Sequence, residues 1–180
     1  MSDDAAAGIR LVQPRTKDDV ATMARLDRVA FAAHPEDCYA VELLEAFLSC
    51  DPPAAAASIV TCGRARCERV HDRRALWAAI AVEESSGEAV GFALADPSHS
   101  RIAKLCVAPK YRRRGVGSAL LAAAVAALKA RRAVAVSLYV RVGNAAADAL
   151  YRRRGFAVDC VETDFYGPGA AGARMLRDCF

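Results

Sequence analysis

Residues 105–128, LCVAPKYRRRGVGSALLAAAVAAL, set the strongest limit on what this chain can fold into. The first three read as the end of a strand, Pro109 stops it, and an alanine-rich helix starts near Gly117. Arg112-x-x-Gly115-x-Gly117 falls on the loop-to-helix junction. Glycines there let backbone N–H groups approach a ligand closely. A helix start adds unpaired N–H groups and the positive end of the dipole, so an anionic phosphate group suits the place. Lys110, Arg112, Arg113 and Arg114 flank it and strengthen that reading. On these residues alone, a tight turn beside solvated arginines fits as well. The string is neither the phosphate loop ending in Gly-Lys-Ser/Thr nor the six-residue dinucleotide fingerprint.

The rest of the chain predicts what surrounds that unit. Residues 9–13 read as a strand ended by Pro14. Thr16 caps a helix with Asp18 and Asp19 in its first turn, near the dipole's positive end. Val20, Met23, Leu26, Ala30 and Phe31 give that helix an apolar stripe. His34-Pro35-Glu36-Asp37 breaks the pattern, and a second helix is predicted over 40–48. Residues 58–62 fit a short strand and 64–74 an exposed basic loop. The apolar runs 75–82 and 89–95, joined by Ser85-Ser86-Gly87, predict a β-hairpin. A strand over 102–107, a helix over 117–131, a strand over 134–140 and a helix over 145–154 follow. Gly155 terminates the last of these. Final strands are predicted at 156–163 and 174–176. The order β-α-α-β-β-β-α-β-α-β-β is a mixed α/β domain over 9–180, after a flexible tail at 1–8.

At 180 residues there is little room for a second domain. Hydrophobic residues make up 54%, enough to build a packed core. A net charge of +4 is too weak to mark a nucleic-acid binder. The 21 Arg against 4 Lys go with 41 Ala, as GC-rich coding would produce without any function. No apolar stretch reaches the roughly 18 residues of a bilayer span, so no membrane partner is expected. The acidic N-terminus does not read as a signal peptide. Seven scattered cysteines fit reduced thiols in the cytoplasm better than a disulfide framework.

Two motifs together resemble the GNAT superfamily of acetyl-CoA-dependent N-acetyltransferases. Its loop, Arg/Gln-x-x-Gly-x-Gly/Ala, is matched by Arg112, Gly115 and Gly117, with the lead-in Val107, Pro109, Tyr111. Its downstream Asn-x-x-Ala-x-x-Leu-Tyr-x-x-x-Gly-Phe is matched by Asn144, Ala147, Leu150, Tyr151, Gly155 and Phe156. The resemblance implies a single-domain GNAT fold: a mixed, mostly antiparallel sheet, splayed at the acetyl-CoA site, with helices on both faces. It implies that backbone groups of Leu105, Cys106 and Val107 pair with the pantetheine arm. Amides of Arg112, Arg113, Arg114, Gly115, Val116, Gly117 and Ser118 would hold the pyrophosphate. Asn144 would contact the arm, cap the following helix, or do both. Tyr151 would sit by the thioester sulfur and protonate the departing thiolate. No metal is implied.

The chain looks most like the N-terminal α-amino acetyltransferases of the ribosomal-protein-alanine type. Their strand before the Asn motif often reads Leu-Glu-Val or Leu-His-Val, with Glu or His assisting deprotonation. Here it reads Leu138-Tyr139-Val140, and a tyrosine is a poor base at neutral pH. Tyr139 is then expected to order a water or bind the substrate backbone, and Glu83, Glu84 and His99 remain as candidate bases. Pro35 and Glu36 occupy the place of the acceptor loop, which reads equally as a plain connector. Tyr166 would line a peptide groove under a Gly/Pro-rich lid at 167–172. Cys62, Cys67 and His71 cluster without the spacing of a standard zinc site, and Cys106 leaves a covalent acetyl-cysteine route conceivable. Three functions follow: acetylation of a peptide N-terminus, acetylation of a small arylalkylamine or polyamine, or acetyl-CoA binding without catalysis.

Overall fold

The computed structural model describes residues 8–38, 44, 61–62, 65–66 and 76–180. Strand β1 (Ile9–Val12) leads into helix α1 (Lys17–Ala30). A reciprocal cap starts the helix: Thr16 accepts from the Asp19 amide while the Asp19 carboxylate accepts from the Thr16 amide. This satisfies two of the helix's unpaired donors. A 3-10 turn (Pro35–Asp37) follows. Of the helix expected over 40–48, only Leu44 lies among the described residues, and it is helical and fully buried. Strands β2 (Thr61–Cys62) and β3 (Ala65–Arg66) pair as a separate small ladder. Most of the basic segment 64–74 and the tail at 1–7 lie outside the described residues.

The rest is one seven-stranded sheet with helices on both faces. Its further strands are β4 (Trp77–Glu83), β5 (Ala89–Asp96), β6 (Arg101–Val107), β7 (Ala135–Arg141), β8 (Ala157–Glu162) and β9 (Gly172–Asp178). Helices α2 (Val116–Ala130) and α3 (Ala145–Arg153) flank β7 in the chain. The order across the sheet is β1-β4-β5-β6-β7-β9-β8. Every pairing is antiparallel except β6 with β7. The predicted hairpin is β4–β5. The apolar runs in these strands are continuous because α1 covers one face and α2 the other. Phe92 and Leu94 join the α1 stripe of Val20, Met23 and Leu26, where each fully buried large side chain contributes roughly 1.5–3 kcal/mol.

One irregularity shapes the sheet. Leu94 pairs with Lys104 and the next residue, Ala95, pairs with Ile102, so Ala103 is an extra residue in β6. Such a bulge bends its strand and reverses the facing of what lies beyond it. Lys104 and Cys106 therefore turn to the α1 face, where Cys106 Sγ donates to the Leu26 carbonyl at 3.3 Å. β6 pairs with β7 at only two positions, Arg101 with Ser137 and Ile102 with Leu138, just before the bulge. Past it the two strands part.

Candidate active site

The cleft between β6 and β7 has a different chemistry on each side. On one side, Val107 ends β6 and the chain turns through a short 3-10 segment (Pro109–Tyr111) into α2. Gly115, the residue before α2, has φ +80°, and Arg113 has φ +64°. The positive φ at Arg113 is uncommon for a non-glycine residue and gives the loop a concave backbone. No side chain caps α2, and its first turn holds no acidic residue. The amides of Val116, Gly117 and Ser118 thus have no partner within the helix, which leaves a cradle for an anion. A Cβ at Gly117 would lie 3.3 Å from Leu150 Cδ2 and 3.7 Å from Val107 Cγ2, so the glycine lets this end settle onto α3 and β6. The residues present fit a nucleotide-bearing cosubstrate such as acetyl-CoA.

The arginines of the loop divide. Arg112 donates from Nε to the Val107 carbonyl at 3.2 Å and from its terminal nitrogen to the Ala30 carbonyl at 2.9 Å. Its amide bonds Pro109, so Arg112 ties β6 to the end of α1. Arg114 lies over the Tyr111 ring, 5.2 Å from its centroid, and Arg113 is exposed. Asn144 accepts from the Ala147 amide at 3.2 Å, the helix-cap role. Tyr151 is buried in α3, packed on Phe156, and burial pushes its hydroxyl up to about 12. It stays protonated at neutral pH, as a proton donor must.

The other side is an aromatic and charged wall. Tyr139 is the first β7 residue past the parting point, and with Arg141 it faces away from α2. The Tyr139 ring stacks on Phe165 with centroids 3.9 Å apart and planes at 6°; Phe165 meets Tyr166 edge-on at 4.8 Å. Arg141 lies over Tyr166 at 4.8 Å and grips the Asp37 carboxylate with contacts of 2.8 Å. Asp37 is the last residue of the turn that contains Pro35 and Glu36. Asp37 therefore joins the turn that carries Pro35 and Glu36 to Arg141 and Tyr166, on the wall that also holds Tyr139. The segment after Tyr166, expected from its Gly/Pro content to be a flexible lid, is tied by its own hydrogen bonds. It is a laced turn: Tyr166 N–H donates to Ala170, Ala170 N–H to Gly167, and Gly169 N–H to Asp164 Oδ1.

Lys104 stands behind the wall. Its ammonium lies 3.0 Å from Asp27 Oδ1, donates to the Asp37 carbonyl at 2.6 Å and sits 3.9 Å from the Phe31 ring centroid. Both Lys104 and Asp27 are buried.

The candidate bases do not reach the cleft. Glu83 accepts from Ser86 and Tyr111 at the β4–β5 turn, and those bonds hold its carboxyl below the usual range. Glu84 is exposed on the same turn. His99 bonds Asp96 at 2.6 Å beside the closed end of the β6–β7 pair. Burial pushes the Cys106 thiol up, so it holds little thiolate for a covalent route. Cys67 and His71 lie outside the described residues; among the described residues no group of three or more His, Cys, Asp or Glu could hold a metal ion.

Arg141 and Glu162 were not anticipated; Asp37 and Phe165 stood out only as sequence neighbours of Glu36 and Tyr166. Strand parity would have found Arg141, two residues beyond Tyr139 on the same face. Glu162 has no local signal, because only the β8–β9–β7 register brings it to Tyr139.

An open parallel pair beside a bare helix start defines the class. Residues 30–156 match the family model of the Acetyltransferase (GNAT) family, and the chain belongs to that family. Among curated proteins it is 36% identical over 92 residues to the N-terminal acetyltransferase complex ARD1 subunit homolog of Dictyostelium discoideum, covering 47% of this chain and 45% of that one. It is 35% identical over 105 residues to the N-alpha-acetyltransferase daf-31 of Caenorhabditis elegans, covering 53% and 58%. The matches thus span about half the length of these relatives. Among solved structures, the ribosomal-protein-S18-alanine N-acetyltransferase of Escherichia coli superposes with a TM-score of 0.70 at 18% identity, covering 94% and 93% of the two chains. Ard1 of Thermoplasma volcanium superposes with a TM-score of 0.71 at 18% identity, covering 97% and 99%. At that identity the structures bear out the fold alone.

Proposed function

We propose that the chain transfers an acetyl group from acetyl-CoA to the N-terminal α-amino group of a peptide or protein in the cytoplasm. The observation that carries the reading is the two-residue β6–β7 pairing, which opens between the uncapped start of α2 and the wall of Tyr139 and Tyr166. The pantetheine arm would take the place of a strand along Leu105, Cys106 and Val107. Its pyrophosphate would lie on the amides of residues 113–118. Acetyl-CoA supplies the activated acyl group; the chain supplies position and proton transfer. Holding amine and thioester together in a near-attack geometry provides most of the rate, and backbone N–H groups stabilise charge developing on the carbonyl oxygen. Tyr151, protonated and buried, would give its proton to the leaving thiolate.

The peptide assignment draws on the names of the curated relatives and on the wall itself. Its flat aromatic faces and the Arg141–Asp37 pair suit a main chain with one free amine better than a polycation. An α-amino group titrates near 8, so part of it is already neutral at pH 7, unlike a lysine. Release of CoA thiol, followed with peptides bearing free or blocked N-termini and with arylalkylamines and polyamines, tests the reading. Turnover with the free peptides and none with the blocked ones is expected. Faster turnover with a small amine would replace the peptide assignment. Tight acetyl-CoA binding with no thiol release from any amine would replace catalysis with binding.

A further inference from the structure

We propose that Glu162 receives the proton lost by the acceptor amine, and that the Tyr139 hydroxyl passes it on; this rests on the acetyl-transfer reading above. Tyr139 lies at the mouth of the cleft, one residue past Leu138, the last to pair with β6. Its hydroxyl donates to Glu162 Oε1 at 2.5 Å, a short charge-assisted bond. Glu162 ends β8 and is exposed, so it exchanges protons with water.

The other carboxylates near this wall are committed elsewhere. Asp37 is gripped by Arg141. Asp27 is buried against Lys104. Asp159 pairs with Arg174, and Asp164 accepts from the Gly169 amide. Glu162 has no ion pair among the described residues, and its described side-chain contact is the Tyr139 hydroxyl.

Tyr139 cannot serve alone. Burial, then the bond to Glu162, pushes its hydroxyl up to about 12. It stays protonated and passes a proton only by releasing its own. At neutral pH the acceptor ammonium first gives one proton to Tyr139 Oη as the original Tyr139 proton moves to Glu162, which then loses it to water. The neutral amine nitrogen bonds to the acetyl carbon and the carbon–sulfur bond breaks. The sulfur takes the Tyr151 proton, and the second nitrogen proton restores Tyr151. Tyr139 would touch the amine; Glu162 acts through it and is a positioning, proton-accepting residue. Arg174, which faces Tyr139 from β9, and Cys160 on β8 are the other titratable groups acting on the hydroxyl, and Arg141 and Asp37 are the charges across the wall.

Glu162→Gln keeps an oxygen acceptor for the Tyr139 bond and removes the base. It should lower kcat by roughly tenfold or more at pH 7 while leaving the acetyl-CoA KM within about twofold. Its loss should shrink as pH rises past about 8, where the amine is neutral without help. Tyr139→Phe should show the same pH-dependent loss, and the double variant no more than the single ones. Glu162→Asp should recover part of the rate if the Gln variant folds poorly. A Gln variant with the wild-type rate and pH profile overturns the relay, as does a loss that is the same at every pH. A wild-type protein that acetylates no amine overturns the acetyl-transfer reading and the relay with it.

Discussion

Asp27→Asn tests the buried charge that anchors the acceptor side. The side chains of Asp27 and Lys104 are 0% and 6% exposed, and their charged atoms lie 3.0 Å apart. Removing the negative charge leaves the Lys104 ammonium buried beside the Asp37 carbonyl and the Phe31 ring without the Asp27 carboxylate charge. Stranding a buried charge in this way costs about 3–5 kcal/mol. For a chain of this size each kcal/mol moves the melting midpoint by about 2–4 °C, so Asp27→Asn should lower it by roughly 6–20 °C. The exposed pair Arg152–Asp148 is the control, and Asp148→Asn should cost under about 1 kcal/mol. Replacing both charges, Asp27→Leu with Lys104→Met, should recover most of the loss, since a packed apolar pair avoids the desolvation penalty. Urea unfolding followed by circular dichroism measures all three. An Asp27→Asn protein within about 1 kcal/mol of wild type would show that Lys104 does not depend on Asp27, and the reasoning would fail.

Tyr151→Phe should lower turnover at least roughly tenfold with acetyl-CoA affinity unchanged, as steady-state kinetics and calorimetry together would show; unchanged turnover removes the acid role. Gly91→Ala should destabilise by about 1–3 kcal/mol and weaken acetyl-CoA binding, because its Cβ would lie 2.6 Å from the Cys106 carbonyl oxygen and force β6 away from β5. Melting and binding curves report both effects. Glu83 and Glu88 are held below their ordinary 4.5 by hydrogen bonds, Glu83 first from Ser86 and then Tyr111, Glu88 first from Lys110 and then Tyr111. Lowered carboxyl values stabilise the fold above about 4.5, and the contribution is lost as pH falls through the lower folded values. Tyr111→Phe should therefore flatten the acid side of a melting-temperature profile between roughly pH 5 and 3, and an unchanged profile would contradict this.

The motif positions were legible because their chemistry is local. Gly115 needs a positive φ at a helix start, and Asn144 caps the helix it precedes; each fact sits within four residues of chain. The order of the described elements was legible for the same reason, from Thr16 at the cap of α1 to Gly155 at the end of α3, except that β3 (Ala65–Arg66) falls in the segment 64–74 expected as a loop. Strand β9, expected over 174–176, runs from Gly172 to Asp178 because it pairs with β7 along that whole length, a register no local pattern encodes. The acceptor wall was half legible: Tyr139 and Tyr166 stood out as residue types, Asp37 and Phe165 only as sequence neighbours of Glu36 and Tyr166, and Glu162 not at all. Their roles depend on contacts across 104 residues for Asp37 with Arg141 and 23 for Glu162 with Tyr139, and no local pattern encodes those distances. The bulge at Ala103 was likewise silent, since it exists only as a mismatch of register between two strands.

The parting of β6 and β7 also bears on how long the protein survives. The other neighbouring strands of the sheet are zipped along most of their length, but β6 and β7, where its two halves adjoin, pair at only two positions. Local opening concentrates where backbone bonds are few, so this seam is the natural first place for the fold to loosen. A molecule that lies in the gap holds both halves at once and has nothing to hold in the unfolded chain. Its binding then adds RT ln(1 + [L]/Kd) to stability, about 2.7 kcal/mol at a hundredfold excess over Kd. The abundance of the protein in a cell would then rise and fall with the supply of that molecule, and the chain would serve as a gauge of what it holds there.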